Sequence, residues 1–502
     1  MTTLARLPLF LMMTGLGSLA MLLPAVVALV LEEFHDARSF FYGGVLGLVG
    51  TALIGLALAN RRHNQSALRL LVALAAGFVI LPLIFAVPFQ EAVRNTSFIS
   101  AYFEMVSCFT TTGATHFDHT RLSVPEHLWR AQVGWMGGLL MWIAASSILA
   151  PLALGGFEVT ASGEPGQSGA EGATNTGPLT PSQRLYRNAR TLFPVYTGLT
   201  GALAVMLLVA GDPPLVALSH AMAVMSTSGI TPLAELGAAP SGLAGEMILF
   251  CFLFFALSRL TFSTDTRQER GVLYDPEFRL GVAIVASLPV ALFLRHWIGS
   301  FDVGDEQNWT AGLRALWGGL FTALSFLSTT GFVSGDWETA QAWSGLPTPG
   351  IILMGLALVG GGVATTAGGV KLLRVYALYL NGTREIERLV HPHSVGRAGL
   401  LGRRIRREGA FIAWVFFMLF AVTLASLTMI FGLYGVEFEQ ATVLTIAALS
   451  NSGPLIEMAP ATPIDIPGMD WDLRLILCAA MVLGRLELLA IIVMVSPDLW
   501  RE

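Results

Sequence analysis

Long uncharged apolar runs alternate with short ones along this chain, and from Leu68 onward the alternation keeps returning. Leu7 to Leu31 contains no charged residue and is long enough to cross a hydrocarbon core of about 30 Å. The apolar part of a secretory signal is only about 7 to 15 residues long, so the run reads as a retained helix. Phe40 to Asn60 pairs with it as a hairpin. Four units of long, short and long run follow: Leu68–Val87, Phe98–Phe109 and Ala131–Leu154; Leu192–Ala210, Pro214–Met225 and Ala244–Leu257; Leu280–Trp297, Ala311–Leu327 and Gly350 to about Leu380; Ala410–Phe431, Gln440–Leu449 and Leu473–Val495. A short run of about 12 residues rises only about 18 Å as a helix, so each is expected to enter and leave the membrane on one side. Ten spanning helices are expected from this pattern.

Each short run ends in a small polar turn. The turns are Thr111-Thr112-Gly113-Ala114-Thr115, Thr227-Ser228-Gly229-Ile230, Thr329-Thr330-Gly331-Phe332 and Asn451-Ser452-Gly453-Pro454, with glycines 116, 102 and 122 residues apart. Glycine adopts backbone angles that other residues avoid, so a Gly beside Thr or Ser lets successive carbonyl oxygens face one way. Four such strands around one axis build rings of oxygens that replace an ion's hydration shell. Non-helical backbone at membrane depth is tolerated only where protein encloses it or it lines water, and the C-terminal end of each short helix carries partial negative charge. Both points favour a central, cation-selective filter. One Thr-Gly pair is an ordinary loop feature; four in matching positions are not.

Composition agrees with the pattern. A chain of 502 residues that is 54% hydrophobic and 13% charged is an integral membrane protein and not a soluble globular domain; nothing in it supports nucleic-acid binding. Cys108, Cys251 and Cys478 all lie in apolar runs and read as core packing, not as disulfides or a zinc site. Between Thr160 and Thr180 the chain turns to Gly, Ser, Ala and Glu, a composition that suits a flexible linker. The fold class expected is therefore an all-α membrane protein, an N-terminal two-helix hairpin plus four helix, re-entrant loop, helix repeats around a central pore. Its boundaries are 1-62 for the hairpin, 63-160 for repeat one, 161-183 for the flexible loop, 184-268 for repeat two, 269-385 for repeat three with a glycine loop at 360-370, and 386-502 for repeat four.

Arginine placement gives a second, independent reading. Arg61, Arg62 and Arg69; Arg184, Arg187 and Arg190; Arg259, Arg267, Arg270 and Arg279; and Lys371, Arg374, Arg384, Arg388, Arg397, Arg403, Arg404, Arg406 and Arg407 fall at the joints, against Arg38, Arg94, Arg121 and Arg314 on the other side. By the positive-inside rule the joints and both termini are cytoplasmic and the four motifs open outward.

These residues resemble the Trk/Ktr/HKT superfamily of potassium transporters over nearly the whole chain. Phe103-Glu104-Met105-Val106-Ser107 through Thr115 looks like the family's first pore helix and filter, Gly360-Gly361-Gly362 through Gly368-Gly369-Val370-Lys371 like its third-repeat loop, Arg388-Leu389-Val390-His391-Pro392 like a cytoplasmic segment, and Gly484-Arg485-Leu486-Glu487 like its last helix. The initial hairpin favours the TrkH-type membrane subunit over KtrB. The resemblance implies K+ as the transported ion, because Gly113, Gly229, Gly331 and Gly453 are all glycine, whereas serine at the first is associated with sodium. It also implies a homodimer in the plasma (inner) membrane and a cytosolic nucleotide-binding regulatory subunit of the TrkA type, binding NAD or ATP, on the basic joints; those joints equally suit topology signals or anionic membrane lipid. The fourth motif departs from the pattern, with Asn451 opening it and Pro454 after its glycine.

Gly360, Gly361, Gly362, Gly368 and Gly369 fall where the third return helix should cross. Each glycine costs a helix about 1 kcal/mol relative to alanine, so a broken helix is expected, forming a loop across the permeation path; a glycine-rich packing face is the alternative. A nucleotide P-loop does not fit the spacing before Lys371. Lys371, the only lysine, ends this loop as a gate residue or a topology anchor. Arg485 lies deep in the last helix, where arginine costs at least about 2.5 to 3.5 kcal/mol, so it is expected to donate to the loop's carbonyls. Glu487 is two residues on and faces elsewhere. Glu104 is expected to accept hydrogen bonds from filter backbone. Asp302, Asp305, Glu306, Glu437, Glu439 and Glu457 are candidates for a cation-concentrating mouth. An enzyme would need clustered His, Asp or Glu at one depth, and His391 with His393 in a joint does not supply it.

Overall fold

The computed structural model describes residues 8–58, 67–159, 181–258, 273, 275–299, 309–345, 348–391 and 409–495. The linker expected after Thr160, joint residues Arg61, Arg62, Arg259, Arg267, Arg270, Arg397, Arg403, Arg404, Arg406 and Arg407, Pro392 and His393, and the acids Asp302, Asp305 and Glu306 lie outside the described residues.

Helices α1 (Leu9–Ala20) and α2 (Leu22–Val30) form one span with a joint at Met21, and α3 (Phe34–Leu58) returns beside it. Next come α4 (Ala67–Val93), α5 (Phe98–Phe109), α6 (Val124–Ala144), α7 (Pro181–Ala210), α8 (Pro214–Ser226), α9 (Gly242–Leu253) and α10 (Pro276–Gly299). The chain continues through α11 (Trp309–Leu327), α12 (Trp337–Ser344), α13 (Gly350–Val359), α14 (Leu372–Val390), α15 (Gly409–Leu433), α16 (Phe438–Ser450), α17 (Leu455–Met458), α18 (Trp471–Leu486) and α19 (Leu488–Val495). No strand occurs among the described residues. Among the described residues seven helices are long and apolar enough to cross a membrane, eight if the bent pair α18 and α19 is one span. This is an all-α, multi-pass membrane protein.

Local chemistry explains the starts. Ser97 caps α5 by accepting the Ser100 amide at 3.1 Å, and Ser123 with Glu126 forms a reciprocal capping box on α6. Packing then orders the short helices. Each of α5, α8, α11 and α16 lies between the long helix before it and the helix after it, while α6 packs on α8, α9 on α11, α13 on α16 and α18 on α5. The order closes into a ring, with the motifs at its inner ends.

Three expected return helices are not straight spans. The second, Gly242–Leu257, has only 16 residues counting a terminal 3₁₀ turn, about 24 Å. The third breaks between Val359 and Leu372, as the five glycines led us to expect. The fourth was expected to be continuous and is not: it bends by 93° between α18 and α19, with Glu487 in the left-handed region at φ 64°. Pro181–Gln183, assigned to the flexible loop, begin α7. Cys108 and Cys478 are buried, but Cys251 is exposed on the protein surface, which on a membrane helix needs no polar partner.

Candidate functional site

The four motifs share one backbone geometry. Their first residues are left-handed, Thr111 at φ 57°, Thr227 at 53°, Thr329 at 59° and Asn451 at 53°. Each second residue donates its amide five residues back: Thr112 to Ser107 O at 2.8 Å, and Ser228 to Ala223 O, Thr330 to Ser325 O and Ser452 to Ala447 O at 2.9 Å each. This is the Schellman closure of a helix C-terminus, made here with Thr or Asn where glycine is usual, at about 1 to 2 kcal/mol per left-handed residue. Such strain persists only where surrounding structure holds it.

Hydroxyls supply part of that hold. Thr110 and Thr112 share a hydrogen bond of 2.8 Å, Ser226 donates to Ser228 at 2.9 Å, and Ser328 pairs with Thr330 at 3.0 Å. The fourth motif differs: Ser450 turns back to Ile446 O, while the Asn451 amide donates to Thr112 Oγ1 and to Met481 O, both at 3.0 Å.

The glycines are where the motifs meet. A Cβ on Gly113 would lie 2.0 Å from Ser228 O, one on Gly229 2.2 Å from Thr330 O, one on Gly331 2.8 Å from the Pro454 ring, and one on Gly453 2.1 Å from the Ala114 amide. Each motif abuts the next in cyclic order. Gly113, Gly229 and Gly331 have positive φ and Gly453 does not; its amide instead donates to Thr112 O at 2.6 Å.

Behind the ring, Glu104 is fully buried, forms an ion pair with Arg130 at 2.6 Å and accepts the His116 amide at 2.8 Å. His220 and Thr322 occupy the same offset from their own glycines: His220 Nε2 lies 3.0 Å from Thr231 Oγ1, and Thr322 accepts the Ser334 amide at 3.4 Å. Glu246 on α9 accepts from Trp317 Nε1 at 2.9 Å, Ser334 Oγ at 2.7 Å and the Gly335 amide at 2.7 Å. Sequence reasoning missed Glu246, although a lone carboxylate in an apolar run was a signal for it. Of the candidate mouth acids, Glu439 accepts the Ala461 amide and Glu437 precedes α16.

The glycine loop lies directly against the ring. Thr366 Oγ1 donates to Met225 O at 3.1 Å, the Gly368 amide donates to Thr329 Oγ1 at 2.8 Å, and a Cβ on Gly368 would stand 2.1 Å from Ser450 O. Gly360 and Gly369 both have positive φ and their backbones touch, closing the loop's neck; Gly361 and Gly362 pack on the carbonyls of Ala256 and Leu257. Lys371 Nζ donates to Ala367 O at 2.8 Å and Gly362 O at 3.4 Å, and Arg485 Nη1 donates to Thr366 O at 2.8 Å.

Two residues counted with the surface-facing joints belong here instead. Lys371 is buried, and Arg374 is fully buried between Glu158 and Glu487; the positive-inside count assumed solvent where the fold supplies carboxylates. Arg384 and Arg388 are on the outer part of α14, where Arg388 pairs with Glu385 at 3.0 Å on the surface.

Residues 246–501 match a family model described as TrkH, cation transport protein. The chain is 31% identical to the Trk system potassium uptake protein TrkH of Halomonas elongata over 97% of this chain and 96% of that one. It is 27% identical to the TrkH of Escherichia coli K12 over 96% of each. The crystal structure of the potassium transporter TrkH from Vibrio parahaemolyticus superposes with a TM-score of 0.79, at 25% identity, covering 99% of both chains. A family match over just over half of the chain, full-length relatives and the shared fold agree: the chain belongs to the TrkH family of cation transport proteins.

Proposed function

We propose that this chain is the membrane subunit of a potassium uptake system. K+ sheds water at the ring of four motifs and meets the glycine loop packed against it. The observation that carries this reading is the cyclic contact of four glycine-centred turns of one backbone geometry at the ends of four short helices. The helix ends are negative and the ring carries no formal charge of its own, which suits a dehydrated monovalent cation. The names of the relatives, Trk system potassium uptake proteins, support the choice of ion.

The four hairpin units and their boundaries belong to this reading, as do the re-entrant course of α5, α8, α11 and α16, the plasma (inner) membrane, and cytoplasmic termini. So do a homodimer and a cytosolic nucleotide-binding partner at the basic joints. The loop from Gly360 to Lys371 acts as the gate, with Arg485 holding it shut. In liposomes the purified protein takes up K+ and Rb+ in preference to Na+; equal uptake of K+ and Na+ overturns the filter reading. The second reading, a sodium-permeable carrier, draws on the irregular fourth motif, and Gly113→Ser should move the protein toward it. Arg485→Ala raises Rb+ flux, and unchanged flux in a normally inserted variant rejects the gate.

A further inference from the structure

We propose that Arg374 is a positioning residue for the gate, acting by keeping Glu487 away from Arg485 and Lys371. The inference rests on the gate reading above and adds a residue and a device to it.

Arg374 lies in the first turn of α14, three residues after Lys371, and is fully buried. Its Nε binds Glu158 Oε1 at 2.6 Å, its Nη2 binds Glu487 Oε2 at 2.6 Å, and its Nη1 donates to Val370 O at 3.1 Å. The guanidinium lies 3.7 Å from the centre of the Phe416 ring on α15. These contacts join three places where the chain departs from helix. Glu158 lies in a 3₁₀ turn beyond α6 and also accepts the Gly156 amide at 2.8 Å. Val370 ends the glycine loop. Glu487 is the left-handed residue at the 93° bend between α18 and α19.

Among the described residues, Arg485 and Lys371 are the other buried cations beside this bend: Arg485 stands two residues before Glu487 at the end of α18, and Lys371 three residues before Arg374. In the structure, however, both cations give their hydrogen bonds to loop carbonyls. Two further donors on Arg485, Nε and Nη2, are buried without a partner. A carboxylate released beside such a group would draw it strongly, since it adds the attraction of a full opposite charge at low dielectric, which a neutral carbonyl does not offer. Arg374 prevents this by engaging Glu487 itself. Without Arg374, Glu487 competes for Arg485 and Lys371, the loop loses its two cationic ties, and the path opens. Glu277 faces the same loop by accepting the Val363 amide at 3.2 Å, and is already engaged with backbone.

The test is Rb+ flux through the purified full-length protein in liposomes. Arg374→Gln should raise flux about fivefold to tenfold, a modest coupling between sites, while Arg374→Lys stays near wild type. The companion variant is Arg374→Gln combined with Glu487→Gln. With no carboxylate left to compete, its flux should fall back toward wild type. A merely structural Arg374 predicts instead that flux falls in Arg374→Gln together with the midpoint of thermal unfolding, because a buried carboxylate is left unpaired, and that both recover in the double variant; the rise in flux in Arg374→Gln is what separates the two. If Arg374→Gln does not reach the membrane, Glu487→Gln alone decides: flux at or below wild type supports the proposal, and raised flux overturns it. Arg485→Ala is measured alongside. Unchanged flux there rejects the gate reading itself, whereas raised flux in Arg485→Ala with unchanged flux in Arg374→Gln rejects only the role of Arg374.

Discussion

At the first three motifs the groups that fix the backbone are neutral and local: amides reach carbonyls five residues back, and a hydroxyl before each motif meets one within it. In the layer beneath, Arg374 reaches Glu158 and Glu487 across 216 and 113 residues of sequence, and cations from α14 and α18 tie down a loop. A filter must not trap the ion it passes, so uncharged oxygens held rigidly suit it. The gate proposed for the layer beneath must have two states of similar energy, which buried charges with alternative partners would provide. Ring variants are therefore expected to change which ion passes, and variants in the lower layer how fast ions pass.

The largest effect tests the ring. Gly229→Ala places a methyl group 2.2 Å from the Thr330 carbonyl at a positive φ, so the ring should lose its shape and the K+ to Na+ uptake ratio should fall toward one in a protein that still inserts; unchanged selectivity would remove the ring from the conduction path. Next is the buried pair behind it. Glu104→Gln leaves Arg130 unpaired, at about 3 to 5 kcal/mol, read as a lower midpoint of thermal unfolding in detergent with weaker K+ preference. A smaller change is Thr110→Val, which removes the hydroxyl held 2.8 Å from Thr112 at about 1 kcal/mol. The K+ to Na+ uptake ratio should drop while the open gate's rate persists; a change in rate alone would erase the distinction between the two layers. The smallest is Arg388→Ala. Its ion pair with Glu385 is more than half exposed on both sides and contributes at most about 0.5 kcal/mol, so stability and flux should both stay at wild-type values.

Much of the upper region was legible because its causes are local. Phe98–Phe109 was delimited correctly from one apolar run between Ser97 and the first motif, and the break after Val359 from a cluster of glycines. The lower region was not. Gly484, three residues before Glu487, is a single glycine and too weak a stop signal to place a bend, and the left-handed Glu487 is held by an arginine on another helix. Arg374 looked like a cytoplasmic anchor because charge sidedness treats every arginine as solvated, and its carboxylate partners are distant in sequence. Glu246 and Glu277 likewise acquire meaning only from the amides they accept, on segments tens of residues away.

The amino-acid sequence by itself determined that this is a polytopic helical membrane protein with four short helices ending in glycine turns, because hydrophobic length, helix stop signals and glycine's conformational freedom act over a few residues. Tertiary structure alone decided that the turns touch in cyclic order, that the last helix bends, and which carboxylate each buried cation receives. Those outcomes depend on desolvated charges finding partners across the fold, and in a medium of low dielectric the choice of partner is set by proximity in space.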